Sequence, residues 1–95
     1  MGLFGRAKTY SQVQKPLPKE VILRLISRSS INTLDKAEEI EVEQAILSAR
    51  KGDGKISLNE IDTLLRKMAR DNRISENDRL ALTRVCVEYF NEDHI

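Results

Sequence analysis

Few side chains in this chain have the chemistry for catalysis. His94 is the only histidine and Cys86 the only cysteine among 95 residues. Cys86 falls on the apolar face of a predicted helix with no histidine near it in sequence, and a thiol in such a place is usually buried and inert. Because no nucleophile can be paired with a base, we expect no enzyme activity and no cofactor.

The acidic cluster of Glu38, Glu39, Glu41 and Glu43 does not predict a metal site. At helical spacing these carboxylates spread around the helix and do not converge. The chain also lacks the Cys/His spacing of zinc sites and a Gly-rich phosphate loop. We therefore interpret the cluster as a solvated helix face and expect no metal.

Two similar turns occur 18 residues apart, at 52–60 and 70–78. In each, Asp precedes Gly54 or Asn72, the residue types that most readily adopt a left-handed backbone. A basic residue, an isoleucine and a serine follow. We expect the isoleucine to turn inward and the serine to start the next helix.

Each serine has an acid three residues later, which is the spacing of a capping box. The pairs are Ser57 with Glu60 and Ser75 with Asp78. In a capping box the hydroxyl and the carboxylate each accept a hydrogen bond from a free backbone N–H group. Both turns are therefore predicted to begin helices.

The Asp-Gly-x-Ile-Ser-x-x-Glu turn at 53–60 resembles the turns of EF-hand-like domains and of the helical TerB-like tellurite-resistance domains. In an EF-hand loop ending at Glu60, the first two ligand positions would hold Ala49 and Lys51, where oxygen ligands are needed. The resemblance implies a shared turn geometry and argues against a calcium site. A calcium-responsive module using Asp53 and Glu60 is the minor alternative.

Basic residues surround the turn between the predicted third and fourth helices: Arg66, Lys67, Arg70 and Arg73. A basic turn between two helices is compatible with docking on DNA, so a nucleic-acid-binding regulator is the alternative function. Acidic residues are interleaved with these cations, and the predicted fourth helix opens with acids. An internally paired, solvated face is the favoured interpretation.

Residues 1–16 contain three Lys/Arg, two Gly and one Pro without any period, which predicts a flexible basic tail. Leu3, Phe4 and Tyr10 lie between cations and could dock on a partner as a linear motif. A plain flexible terminus is the alternative, and weak membrane-surface anchoring is a minor one. We expect no stable membrane insertion, because no apolar run approaches the roughly 18 residues required.

Apolar residues recur at helical spacing in four segments, at approximately 18–29, 33–50, 57–70 and 75–91. The turns between them are short. This pattern predicts an all-α protein, with residues 17–95 forming a single domain that is a compact bundle of about four helices.

The predicted second helix has two apolar faces. Ile40 and Leu47 lie nearly opposite the stripe that contains Val42 and Ile46. Such a helix is either sandwiched centrally, which we favour, or contributes to a contact with another subunit.

The sequence thus favours a small non-enzymatic helical adaptor or regulator that binds another protein, with a homodimer as one form of this. A single cysteine fits the cytoplasm, where thiols stay reduced. The predicted partner-binding residues are Leu3, Phe4, Tyr10, Ile40, Leu47, Arg66, Lys67, Arg70 and Arg73.

Overall fold

The computed structural model describes residues 10–29 and 35–91. In these residues the chain forms four helices and two short strands: β1 (Gln14–Pro16), α1 (Lys19–Arg28), α2 (Lys36–Ala49), β2 (Lys55–Ser57), α3 (Leu58–Arg70) and α4 (Glu76–Asn91). Each strand has only three residues, and the helices carry most of the core. The predicted all-α bundle is confirmed.

Capping boxes set the start of α2 and of α3. Asp35 Oδ1 accepts a hydrogen bond from Glu38 N at 2.8 Å, and Glu38 Oε1 accepts one from Asp35 N at 3.0 Å. Helix α2 therefore begins at Lys36, three residues later than predicted. The predicted box of Ser57 and Glu60 is confirmed at the start of α3.

The two turns have the predicted backbone geometry. Gly54 has φ +83° and Asn72 has φ +63°, both in the left-handed region. The isoleucines that follow, Ile56 and Ile74, are both buried in the core. Ser75 and Asp78 also exchange the expected capping hydrogen bonds at the start of α4.

The predicted flexible tail differs from the structure at its C-terminal end. Residues Gln14–Pro16 form β1, which pairs antiparallel with β2 so that Lys15 lies opposite Ile56. The pairing gives hydrogen-bond partners to backbone groups of β2, which would otherwise remain unsatisfied. Just after β1, Leu17 is almost fully buried and anchors this segment in the core. Residues 1–9, with Leu3 and Phe4, lie outside the described part of the chain.

Lys15 connects β1 to the end of α4. Its Nζ donates hydrogen bonds to the carbonyl oxygens of Tyr89 at 3.1 Å and Phe90 at 3.2 Å. The same ammonium lies 4.7 Å and 5.1 Å from the centroids of the two rings. A cation at this position stabilises the negative end of the helix dipole and the aromatic faces together.

Helix α2 packs against α1 and α3, and its buried residues Val42 and Ile46 face the core. Leu47 is partly buried and packs against that core. Ile40, however, is 50% exposed. The prediction that α2 is sandwiched on both faces is therefore wrong at Ile40, because no described element covers that side of the helix.

Candidate functional site

An open groove lies between α1 and α2, on the side of α2 that the core leaves uncovered. Its volume is about 290 Å³. The described residues that line it are Leu23, Ile26, Ser27, Lys36, Glu39, Ile40 and Glu43. Those on α1 are spaced i, i+3, i+4, and those on α2 are spaced i, i+3, i+4, i+7. This spacing places each set on one side of its helix, so two helical stripes form the groove.

Apolar side chains from both helices face solvent in this groove. Leu23 of α1 is 46% exposed and Ile40 of α2 is 50% exposed, while Ile26 between them is buried. Single exposed apolar residues are common on protein surfaces. Here one from each helix lines the same concave surface, which is typical of a groove that receives an apolar side chain.

A carboxylate with an unsatisfied oxygen also lines the groove. The Glu43 side chain is only 9% exposed, and its Oε2 accepts no hydrogen bond in the described part of the chain. The nearest cation, Lys19 Nζ, is 3.6 Å from this oxygen, and the Lys19 side chain is 63% exposed. A carboxylate oxygen that is buried without a hydrogen-bond donor lowers the stability of a fold. Among the described residues, the Oε2 atom of Glu43 is therefore poorly satisfied.

The register of α2 explains why an acid is buried here. Glu43 follows Val42 and precedes Ile46 by three residues, so it lies beside the core-facing stripe. Ile40 lies almost one turn before it. Glu43 therefore sits at the border between the core and the groove: the residue lines the groove, and its Oε2 is buried.

The predicted nucleic-acid-binding residues are mostly engaged in ion pairs. Arg66 Nε lies 2.9 Å from Asp62 Oδ2, and Lys67 Nζ lies 3.3 Å from Asp71 Oδ2. Arg73 pairs with Glu41 of α2, and this hydrogen bond raises the pKa of Arg73 above its ordinary value. Each of these three predicted residues thus has a carboxylate partner.

A second depression, of about 570 Å³, lies at the basic turn. Arg66, Arg70 and Arg79 line it, but Arg79 is nearly buried and pairs with Glu76, which lines the same depression. Arg70 is exposed and, among the described residues, makes no ion pair. Among the described residues this surface thus has alternating charge, with Arg70 unpaired, and they do not form the continuous basic face typical of nucleic-acid binding.

Glu60, the acid at the last position of the EF-hand-like turn, acts as a structural anchor. Its Oε1 accepts hydrogen bonds from Ser57 N at 2.9 Å and Gln14 Nε2 at 3.1 Å, and its Oε2 lies 2.5 Å from Lys51 Nζ. These donors, Lys51 first, lower the pKa of Glu60 to about 2. In the described ranges, no three His, Cys, Asp or Glu residues converge in a way that could hold a metal ion.

The predicted partner-binding residues that lie in the described part of the chain therefore do not converge on one site, and Leu3 and Phe4 lie outside it. Ile40 lines the groove; Tyr10 and Leu47 are partly buried against the core. Leu23 and Glu43 line the groove and were not predicted. Their signals were present in the sequence, because Leu23 is an apolar residue outside the α1 stripe and Glu43 is an acid beside the α2 stripe.

No helix in residues 10–29 or 35–91 has the length and apolar character needed to cross a membrane. The chain matches no known family model, no curated protein and no solved structure.

Proposed function

We propose that this protein is a small non-enzymatic adaptor or regulatory module that binds a segment of another protein in the groove between α1 and α2. One observation carries this proposal: exposed Leu23 and Ile40, one from each helix, line a groove that also contains a buried and poorly satisfied carboxylate. Grooves between two helices are a recurrent binding site for an apolar face of a peptide.

The ionic pairing around the basic turn favours this function over nucleic-acid binding. Ion pairs that already exist must be broken before their cations can contact phosphates. Arg66, Lys67 and Arg73 each have such a pair. Burial of the single thiol, Cys86, also fits a cytoplasmic location, where no disulfide is needed.

The proposal is tested by comparing the proteins retained by three forms of the chain. Wild type, Ile40→Lys and the control Leu80→Lys are immobilised and exposed to an extract of cells that produce the protein. Ile40 and Leu80 are 50% and 52% exposed, each on a helix, and only Ile40 lines the groove. The control therefore reproduces the change in charge and exposure at another surface.

We expect a specific protein to be retained by wild type and by Leu80→Lys and lost from Ile40→Lys. Circular dichroism must show the same helicity in all three forms. Retention that does not change at Ile40→Lys would contradict the assignment of the groove as the binding site.

A further inference from the structure

We propose that the groove selects a partner segment that carries an arginine or lysine next to a large apolar side chain, with the cation bound to the Glu43 carboxylate. This inference rests on the proposed function and adds the chemistry of the partner. The groove has two unlike parts, the carboxylate of Glu43 and the apolar pair of Leu23 and Ile40.

The Glu43 carboxylate has unused capacity for hydrogen bonds. A carboxylate offers about four acceptor positions, and Oε2 accepts none from the described residues. Lys19 is within ion-pair distance at 3.6 Å but does not donate a hydrogen bond, and most of its side chain is in solvent. A guanidinium or ammonium entering the groove would supply the missing donors and the compensating charge. Hydrogen bonds between a charged donor and a charged acceptor are stronger than those between neutral groups.

Among the described residues, the other buried polar atoms without partners do not lie at the groove. Arg50 Nε, Asp62 Oδ1 and Thr83 Oγ1 also lack partners in the described part of the chain, but none of these residues lines the groove. Glu43 combines an unsatisfied oxygen with a place in the lining of a concave surface. Because Oε2 itself has almost no exposed surface, the carboxylate must turn towards the groove to bind a ligand. The ligand group it would accept must be a hydrogen-bond donor, and a positive charge fits it best.

The apolar walls define the rest of the partner. Leu23 and Ile40 expose about half of their surface, and the groove volume of about 290 Å³ equals that of roughly ten water molecules. A large apolar side chain can displace this water and cover both residues. Glu39 adds a second carboxylate on the same stripe of α2, and Lys36 lies at the start of that helix. The groove therefore fits one apolar group close to one cation.

Peptide selection identifies the chemistry that the groove prefers, starting from random sequences. A displayed library of random twelve-residue peptides is selected on the immobilised full chain and, in parallel, on Glu43→Gln and Ile40→Lys. Glutamine keeps the size of Glu43 and removes its charge. Thermal unfolding of each variant checks that the protein remains folded.

We expect peptides from the wild-type selection to carry Arg or Lys within four residues of Leu, Ile, Met or Phe, and not to bind Ile40→Lys. Selection on Glu43→Gln should retain the apolar preference and lose the preference for a cation. In the best peptide, replacing Arg by its neutral isostere citrulline should weaken binding to wild type by about tenfold or more. The same replacement should not change binding to Glu43→Gln.

The outcomes of the peptide selection distinguish an error in this inference from an error in the proposed function. Groove-dependent peptides without a preference for a cation would overturn this inference and leave the proposed function intact. Peptides that bind Ile40→Lys as well as wild type, or a selection with no groove-dependent peptide, would overturn both. Light scattering that shows a dimer broken by Ile40→Lys would identify a second copy as the occupant and overturn the inference. Peptide binding that requires deletion of residues 1–9 would identify the chain's own segment and overturn it too.

Discussion

Replacing Glu43 by methionine should stabilise the protein while removing its proposed ligand contact. The effective cost of burying an ionised carboxylate is several kcal/mol. The Lys19 pair returns only about 1 kcal/mol or less, because Lys19 is largely exposed and the pair is screened. Methionine has a similar length and buries apolar surface at the edge of the core. We expect the free energy of unfolding to rise by about 1–2 kcal/mol, because the buried charge is removed while the exposed Lys19 that is left behind stays hydrated.

Urea unfolding followed by circular dichroism measures this change, and a single unchanged m value would show that the transition remains comparable. For a domain of this size the gain corresponds to an increase in Tm of roughly 4–16 °C. Glu39→Met is the matched control. Glu39 lies on the same stripe of α2, is only partly buried and has no atom among the buried unsatisfied ones. Its replacement should change stability by about 0.5 kcal/mol or less.

A loss of more than about 1 kcal/mol in Glu43→Met would refute the reasoning. It would mean that the Glu43 carboxylate and Lys19 stabilise the native state, and that Glu43 is kept for folding. A double-mutant cycle with Lys19→Met separates the two cases. The account predicts a coupling energy of about 1 kcal/mol or less between these residues.

Three further predictions concern the turns and the core. The pKa of Glu60 falls from 4.5 in the unfolded chain to about 2 in the fold, so its carboxylate stabilises the fold above pH 4.5 and this effect is lost as the pH falls towards 2. After allowance for solvent screening, Glu60→Gln should lower the free energy of unfolding by about 1 kcal/mol at neutral pH. Both Glu60→Gln and Lys51→Met, which removes a donor to Glu60, should flatten the acid side of a curve of stability against pH. Gly54→Ala should destabilise the protein by about 1–2 kcal/mol in urea unfolding because φ is +83°, whereas Gly52→Ala, with no atom within 4 Å of the added Cβ, should cost less than half of that. Burial raises the pKa of the Cys86 thiol to about 12. Cys86 should therefore resist iodoacetamide at mildly alkaline pH in the folded protein and react once denaturant unfolds it. Rapid labelling of the native protein would contradict the burial of Cys86 in the core.

Local signals in the sequence predicted the helices and turns well, because each depends on residues close together in the chain. The capping box of Ser57 and Glu60 and the left-handed positions of Gly54 and Asn72 all follow from local backbone chemistry. The pairing of β1 with β2 could not be predicted in this way. It joins residues about forty positions apart, and three residues of strand give no periodic signal.

The groove was only partly predicted, for a similar reason. The exposed position of Ile40 could be suspected from its place outside the main stripe of α2. Its pairing with Leu23 depends on how α1 packs against α2, which helical periodicity does not specify. The sequence predicts that Glu43 belongs to a solvated acidic face; this prediction is wrong, because the packing of α1 against α2 buries it.

Site-specific photocrosslinking tests the binding role of the groove most directly. A photoreactive phenylalanine analogue is placed at Ser27, which is exposed and lines the groove, or at Ser48, which is exposed on α2 outside it. In cells that produce the protein, the account predicts a discrete crosslinked partner from position 27, lost when Ile40→Lys is added, and no such product from position 48. Equal products at both positions, or a product at position 48 alone, would contradict it.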